Sequence, residues 1–419
     1  MGSIKQSNRE AKLRPHDPYA ALRSSDYRLF AIGYVSSMIG QQMQSVAIGW
    51  ELYERTGSAM VLGIVGLVQA VPIILLTLPA GQVADWFNRK HVVLMAELLM
   101  VLSSLGLAVL SYTQGAISLF YACLLLSGVA RAFNQPAMSA LLPSLVPTKA
   151  FSNAVTWKSS GFQIASMVGP ALGGLVIALL HSATLVYVLN VVLAFTCFGF
   201  IAMIAAKPSV SSTKATTLKS LGAGISFVWQ TKVILAAIAL DLFAVLLGGA
   251  TTLLPIFAKD ILHVGPTGLG WLRAAPAIGA FSMALIIAHL PPMQRAGKTM
   301  LWAVAGFGLA TIIFGISRSF WLSLLMLMLT GAFDNISVVV RHTLVQLRTP
   351  DYMRGRVSAV NSVFIGTSNE LGGFESGLAA ALFGPVVSVV GGGIGTIAVV
   401  LVIAQLWPQI RRLGSLQDG

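Results

Sequence analysis

Charged side chains are scarce in this chain, and several of them interrupt long apolar stretches: Glu97, Arg131, Asp241, Arg273, Asp334, Glu370 and Glu375. An ionised group in such surroundings is costly unless it is paired, wetted or neutralised. The chemistry open to these residues is therefore ion pairing, ligand recognition and proton loading. A carboxyl removed from water is easier to keep neutral than charged, so Glu370, Asp334, Asp241 and Glu375 are candidates for carrying protons. Glu370 and Glu375 lie five positions apart on a helix and so face different ways, which argues against one shared task. Neutral polar groups accompany them. Ser37, Gln41 and Gln44 recur at i, i+4 and i+7, on one helical face; Asn134 and Gln135 follow Arg131, and Asn335 follows Asp334.

Each of these has a plainer reading. Arg131 and Asp334 are either an ion pair holding two parts of the chain together or groups that meet a substrate or proton. Asp241 with Arg273, and Glu97 with Arg131, are open to reading as structural pairs. The Ser/Gln face is open to reading as interhelical hydrogen bonding, and Glu370 as a protonated acid bonded to a carbonyl.

The elements that carry these groups repeat. The segment from Leu126 to Pro147 has a counterpart from Leu329 to Pro350. One constant offset relates Gly128 to Gly331, Arg131 to Asp334, Pro147 to Pro350, Gly169 to Gly372 and Gly174 to Gly377. Arg131 and Asp334 are thus equivalent positions, each roughly 20 Å below one surface at 1.5 Å per residue. A pseudo-two-fold axis would let them face each other. Two related halves in an apolar chain are the pattern of a secondary transporter, whose path runs between the halves.

The chain has 419 residues, 56% hydrophobic and 10% charged, with a mean hydropathy of +0.81. A soluble domain of this size is not so poor in charge, so lipid must be the solvent. Apolar runs long enough to span a bilayer begin near residues 29, 60, 92, 117, 152, 184, 233, 267, 299, 320, 356 and 386. The expected architecture is an all-α membrane protein with twelve transmembrane helices in two pseudo-symmetric six-helix halves. Residues 1–28 form an N-terminal tail, 29–206 the first half, and 207–232 a linker with a surface amphipathic helix. Residues 233–407 form the second half and 408–419 a C-terminal tail. Threading these spans puts most of the 27 Lys+Arg on the side of both termini, which identifies that side as cytoplasmic. The net charge of +13 is thereby a topology signal, and nucleic-acid binding is excluded. Residues 1–28 lack a short apolar core with a small-residue cleavage site, so they read as a tail and not a signal peptide. Cys123 and Cys197 fall in apolar runs and read as packing residues.

The loop Gly81-Gln-Val-Ala-Asp85-Trp-Phe-Asn-Arg89-Lys90 resembles the signature loop of the major facilitator superfamily, Gly-x-x-x-Asp-Arg-x-Gly-Arg-Arg. Trp86 and Asn88 depart from that pattern; Asn tolerates a left-handed turn better than most residues. The resemblance implies that Gly81, Asp85, Arg89 and Lys90 form a cytoplasmic latch between halves. It implies too that the first, fourth, seventh and tenth helices line the cavity, which would place Ser37, Gln41, Gln44, Arg131, Asn134, Gln135, Asp241, Asp334 and Asn335 around a substrate. Gly169-Pro170-Ala-Leu-Gly173-Gly174 resembles the packing segment of antiporter members, where small residues close a leak path. Leu124 stands where drug exporters of the superfamily often carry Arg, so that residue's proton-coupling role does not transfer. The stretch from Thr349 through Asn361 to Glu370, with Ala132-Phe133 and Pro136-Ala137, resembles the bacterial branch of enterobactin (catechol siderophore) exporters and macrolide efflux proteins.

No phosphate-binding Gly-rich loop with Lys-Ser/Thr, His-Glu-x-x-His or Cys cluster occurs in the sequence. An enzyme is not expected, nor a metal or other cofactor, and an ion or substrate gradient must supply the drive. The expectation is a monomeric exporter in the bacterial inner membrane, moving a small amphipathic siderophore-like or drug-like compound against protons. The rivals are a facilitator or importer of the same fold, and a lipid flippase or scaffold.

Overall fold

The computed structural model describes residues 17–205, 218–291, 293–411 and 413–414, and these are helical with short connections. The first half comprises α1 (Ser25–Thr56), α2 (Ala59–Trp86), α3 (Arg89–Tyr112), α4 (Ile117–Leu145), α5 (Phe151–Leu180) and α6 (Thr184–Met203). A short helix α7 (Leu218–Gln230) precedes the second half: α8 (Lys232–Leu247), α9 (Gly265–His289), α10 (Ala296–Ile316), α11 (Phe320–Arg348), α12 (Asp351–Phe383) and α13 (Pro385–Leu406). Among the described residues, ten spans are long and apolar enough to cross a bilayer by length and composition. The two long helices outside that set, α1 and α12, carry the Ser/Gln face and the Asn/Glu residues, of which Ser37, Gln44 and Asn361 are buried. Outward-facing residues such as Leu102, Phe195, Leu325 and Leu401 are exposed, as lipid contact requires. Helices crossing in alternation put the first and last described residues on one side, the termini face; the other is the far face.

The sequence repeat reappears as packing. In the first half α1 packs on α5 and α6, α2 on α4, and α3 on α4 and α6; in the second, α8 packs on α12 and α13, α9 on α11, and α10 on α11 and α13. The two most extensive contacts between the halves, α2 with α12 and α5 with α9, exchange under the same symmetry.

α8 stops at Leu247, and the crossing continues as a 3₁₀ turn (Ala250–Leu253), a short helix (Leu254–Ile256) and a π turn (Phe257–Ile261). Gly248, Gly249 and Pro255 explain the break. A Cβ on Gly249 would lie 2.7 Å from the Gly372 carbonyl of α12, so the backbones cross where only glycine fits, and Pro255 removes an amide donor. Sequence reading expected an uninterrupted helix here.

The cores show which face is closed. On the far side one hydrophobic cluster runs through both halves, from Met43, Leu124 and Ile177 to Leu253, Phe257, Leu272 and Phe314. Toward the termini face the clusters separate: one from Tyr27, Leu141 and Ile201 belongs to the first half, and others from Ala237, Leu301 and Leu344, and from Ile234 and Val357, belong to the second. A shared apolar core joins the halves at the far face, and among the described residues no such cluster spans both halves at the termini face. The expected amphipathic segment is α7; it docks on α12 and α8, with Val228 buried beside Ile234 and Val357.

Candidate substrate and proton site between the halves

The far seal consists of two glycine seams. Gly174 of α5 meets Gly270 of α9, where a Cβ on Gly174 would lie 2.9 Å from Gly270 Cα. Its repeat counterpart is Gly377 of α12 against Gly63 of α2, where a Cβ on Gly63 would lie 3.0 Å from Gly377 Cα. Gly169 and Gly173 bring the same α5 segment against Gln42 and Met43 of α1, and Pro170 offers its carbonyl side to Gly270. The Gly-Pro-x-x-Gly-Gly segment is thus wedged between its own half and the other. Outside the seams, Tyr53 donates a hydrogen bond to Asp260 across the halves. Gly174→Val should hold the seam apart. Overpacking of this kind costs about 1–3 kcal/mol, enough to change the closed population by about tenfold. Labelling of an Ile48→Cys probe by a thiol reagent added at the far face should rise by about that factor.

Beneath the seal lies a cavity of about 260 Å³ lined by Gln41, Ser45, Gln69, Arg131, Arg273 and Glu370, with Thr252 and Pro255 from the broken α8 crossing. Gly128 sets Arg131 in place: it presses α4 onto Pro72 and Gln69 of α2, and one turn later Arg131 donates to Gln69 Oε1 at 2.9 Å. Glu370 is placed by the α2–α12 seam, its carbonyl facing Gly66. Arg131 Nη1 lies 3.7 Å from Glu370 Oε1, with the side chains 33% and 21% exposed. An ion pair that long and that wet is weakly held and can be rearranged. Arg273 acts electrostatically on the same carboxylate and donates to Ser45 Oγ of α1 at 2.6 Å. Two guanidinium groups around one carboxylate leave the cavity net positive.

The equivalence of Arg131 and Asp334 does not bring them together. Asp334 borders a small void with Asp241 and Ser337 inside the second half, because α11 packs on α9 and α10 as α4 packs on α2 and α3. Asp241 is paired with Arg341 and not with Arg273; both partners are buried. Arg273 points the other way, across the halves. Asp334 feels both members of that pair. Asn335 keeps its Oδ1 buried without a hydrogen-bond partner. Glu375 faces away from the cavity and accepts from Ser376 at 3.5 Å.

The polar face of α1 divides. Ser37 donates to the buried Glu97 of α3 at 3.2 Å, and Gln41 donates to Ser37 at 3.1 Å. Gln44 accepts from Ser104 at 2.8 Å and from Asn190. Glu97 also accepts from Asn134 at 2.8 Å; it does not pair with Arg131, whose guanidinium is held at Gln69. Gln135 is exposed and borders a second cavity beside Glu97.

At the start of α3, Arg89 donates to the Ala140 carbonyl near the end of α4, and Lys90 to Ala202 and Ile204 at the end of α6. Cations on helix C-terminal carbonyls are favourable, and these bonds stay within the first half. Gly81 has open space around it, and the Asp85 side chain lies outside the described residues. Sequence reading missed Ser45, Gln69 and Arg341. Arg341 follows Asp334 by seven positions, two turns along the same face, which is the pattern that would have found it.

Comparison with known proteins identifies the family and the fold. The family profile described as transmembrane secretion effector matches residues 16–414. The multidrug efflux pump Tap of Mycolicibacterium fortuitum is 27% identical over 334 residues, covering 77% of this chain and 81% of the relative. The enterobactin exporter EntS of Citrobacter koseri is 24% identical over 408 residues, covering 96% and 94%. Among solved structures, the nucleoside transporter NupG superposes with a TM-score of 0.74 at 13% identity, over 91% of this chain and 99% of that one. The peptide transporter POT in complex with sulfate gives 0.71 at 12%, over 93% and 96%. The chain is a multi-pass membrane protein that belongs to the transmembrane secretion effector family of major facilitator transporters.

Proposed function

We propose that the protein is a secondary active exporter of the bacterial cytoplasmic membrane, carrying a small amphipathic organic compound outward by proton antiport and alternating access. The observation that carries this reading is the cavity between the halves, with Arg131, Arg273 and Glu370 in it. It lies between a far face closed by two glycine seams and the separate termini-side cores. With most Lys and Arg on the termini face, that face is cytoplasmic, and the observed state is the one that loads from inside.

The substrate class follows from charge. A net positive, partly wet cavity favours a compound bearing acidic oxygens on an aromatic or apolar frame. A catecholate siderophore has that chemistry, and the enterobactin exporter EntS is among the relatives. Glu370, shared by two arginines, is the proton carrier: in an exchanger the proton and the substrate each load only when the other has left, so proton loading at Glu370 and substrate occupancy of the cavity exclude one another. Asp334 and Asp241 are a second titratable pair, and Glu375 a lesser one. At the termini face Arg89 and Lys90 of the latch are occupied by α4 and α6 of their own half, as a disengaged latch would have them.

The test is efflux of a preloaded catecholate siderophore, with a macrolide in parallel, from efflux-deficient cells with and without a protonophore. Siderophore efflux that collapses with the gradient is the expected result. Efflux that follows the substrate gradient alone would replace antiport with facilitation, and lipid flipping without solute efflux would replace export.

A further inference from the structure

The repeat exposes an asymmetry between the two buried polar clusters. In the second half, Asp241 has Arg341 as its cation. Applying the offset that relates Gly128 to Gly331, the positions of Asp241 and Arg341 fall in the first half on Met38 and Met138. The first half does have an acid in this layer, Glu97 of α3, wholly buried. Its bonded partners are neutral: Ser37 at 3.2 Å and Asn134 at 2.8 Å. No ion pair to it exists among the described residues. The place where a cation would stand is a thioether.

Two further observations concern the same spot. Asn134 Oδ1 is buried with no hydrogen-bond partner, although Asn134 Nδ2 donates to Glu97 Oε1. A carboxylic acid facing a primary amide can form a reciprocal pair, and a proton on the acid is the donor that this carbonyl oxygen lacks. Glu97 also borders a cavity of about 190 Å³ lined by Tyr34, Met38, Gln135, Met138 and Lys158. Lys158 Nζ sits there over the Tyr34 ring at 5.5 Å and 3.4 Å from Ser139 Oγ, bound to no carboxylate among the described residues.

We propose that Glu97 is a proton-binding carboxyl of the transport cycle, protonated in the state observed and discharged into the cavity it shares with Lys158. The inference rests on the antiport reading above. On discharge the proton passes to water in the cavity, a carboxylate remains, and the Lys158 ammonium, released from Tyr34 and Ser139, supplies the opposite charge. The groups that bear on this equilibrium are few. α1 contributes Tyr34, α5 Lys158 and α6 the Cys197 thiol beside Glu97. α4 contributes Arg131 one turn from Asn134, its guanidinium engaged by Gln69.

The experiment is infrared titration of the full-length protein in nanodiscs, read at the carbonyl band of protonated carboxyls, with siderophore efflux measured in parallel. The wild type should show a band at neutral pH that Glu97→Gln removes and that Lys158→Met preserves to higher pH. An identical band in wild type and Glu97→Gln overturns the proposal. If Glu97→Gln does not fold, Asn134→Ala should shift the band by removing its hydrogen bond, and an unshifted band again overturns it. In transport, Glu97→Gln should flatten the pH dependence of efflux. A wild-type pH profile in that variant, with efflux still protonophore-sensitive, refutes the role of Glu97. Wild-type efflux insensitive to the protonophore refutes antiport instead, while the band still reports on Glu97.

Discussion

Arg341→Met should destabilise the protein by about 3–5 kcal/mol, because it strands Asp241 in an apolar interior without its cation. Arg341 and Asp241 are 2% and 6% exposed, so water cannot take over the lost interaction. Asp334 adds a second carboxylate to the same void and sharpens the loss. The double replacement Arg341→Met with Asp241→Leu should recover most of it, since a buried pair exchanged for well-packed apolar groups is often near neutral. Thermal unfolding of the detergent-solubilised protein separates the cases. Equal midpoints for single and double variants would mean that the pair is not what holds α8 to α11. A double variant that is stable but inactive would assign the cluster to the transport cycle.

Glu370→Gln should leave the fold intact and lower gradient-driven efflux by roughly 5–150-fold, the range of a coupling free energy of 1–3 kcal/mol. The carboxylate is shared by Arg131 and Arg273. Glutamine neither takes up nor releases a proton, so substrate occupancy can no longer be exchanged for protonation at this position. Substrate binding should persist and lose its pH dependence while efflux fails. Efflux at the wild-type rate, still collapsed by a protonophore, would move proton coupling away from Glu370.

The sequence carries the architecture well, and the reason is physical. A bilayer requires long apolar helices, so most of the crossings can be read from hydropathy, while α1 and α12, the two that carry the most polar groups, fall short of that criterion. Close helix approach in lipid requires small residues, so Gly169 to Gly174 and its counterpart Gly372 to Gly377 mark the packing seams in advance. The partners of the buried charges are less readable. An offset between repeats establishes equivalence and says nothing of proximity, which is why Arg131 and Asp334 each belong to a different cluster. Arg273 lies on the first turns of α9 after Gly265, at the depth of Ser45 on a helix of the other half; no pattern along the chain records that depth. The break in α8 was written in Gly248, Gly249 and Pro255, but high hydropathy across the segment hid it.

The two glycine seams also bear on leakage. A gate built from bulky side chains can be breached by one residue changing rotamer, and such flips occur in nanoseconds. At Gly63 against Gly377 and Gly174 against Gly270 there is no side chain to flip. A passage opens only when whole helices separate, and the symmetry of the two contacts makes them part together. Small ions and protons are therefore held back by a slow movement of entire bodies, which gives a carrier working against a voltage a barrier that local fluctuations do not erode.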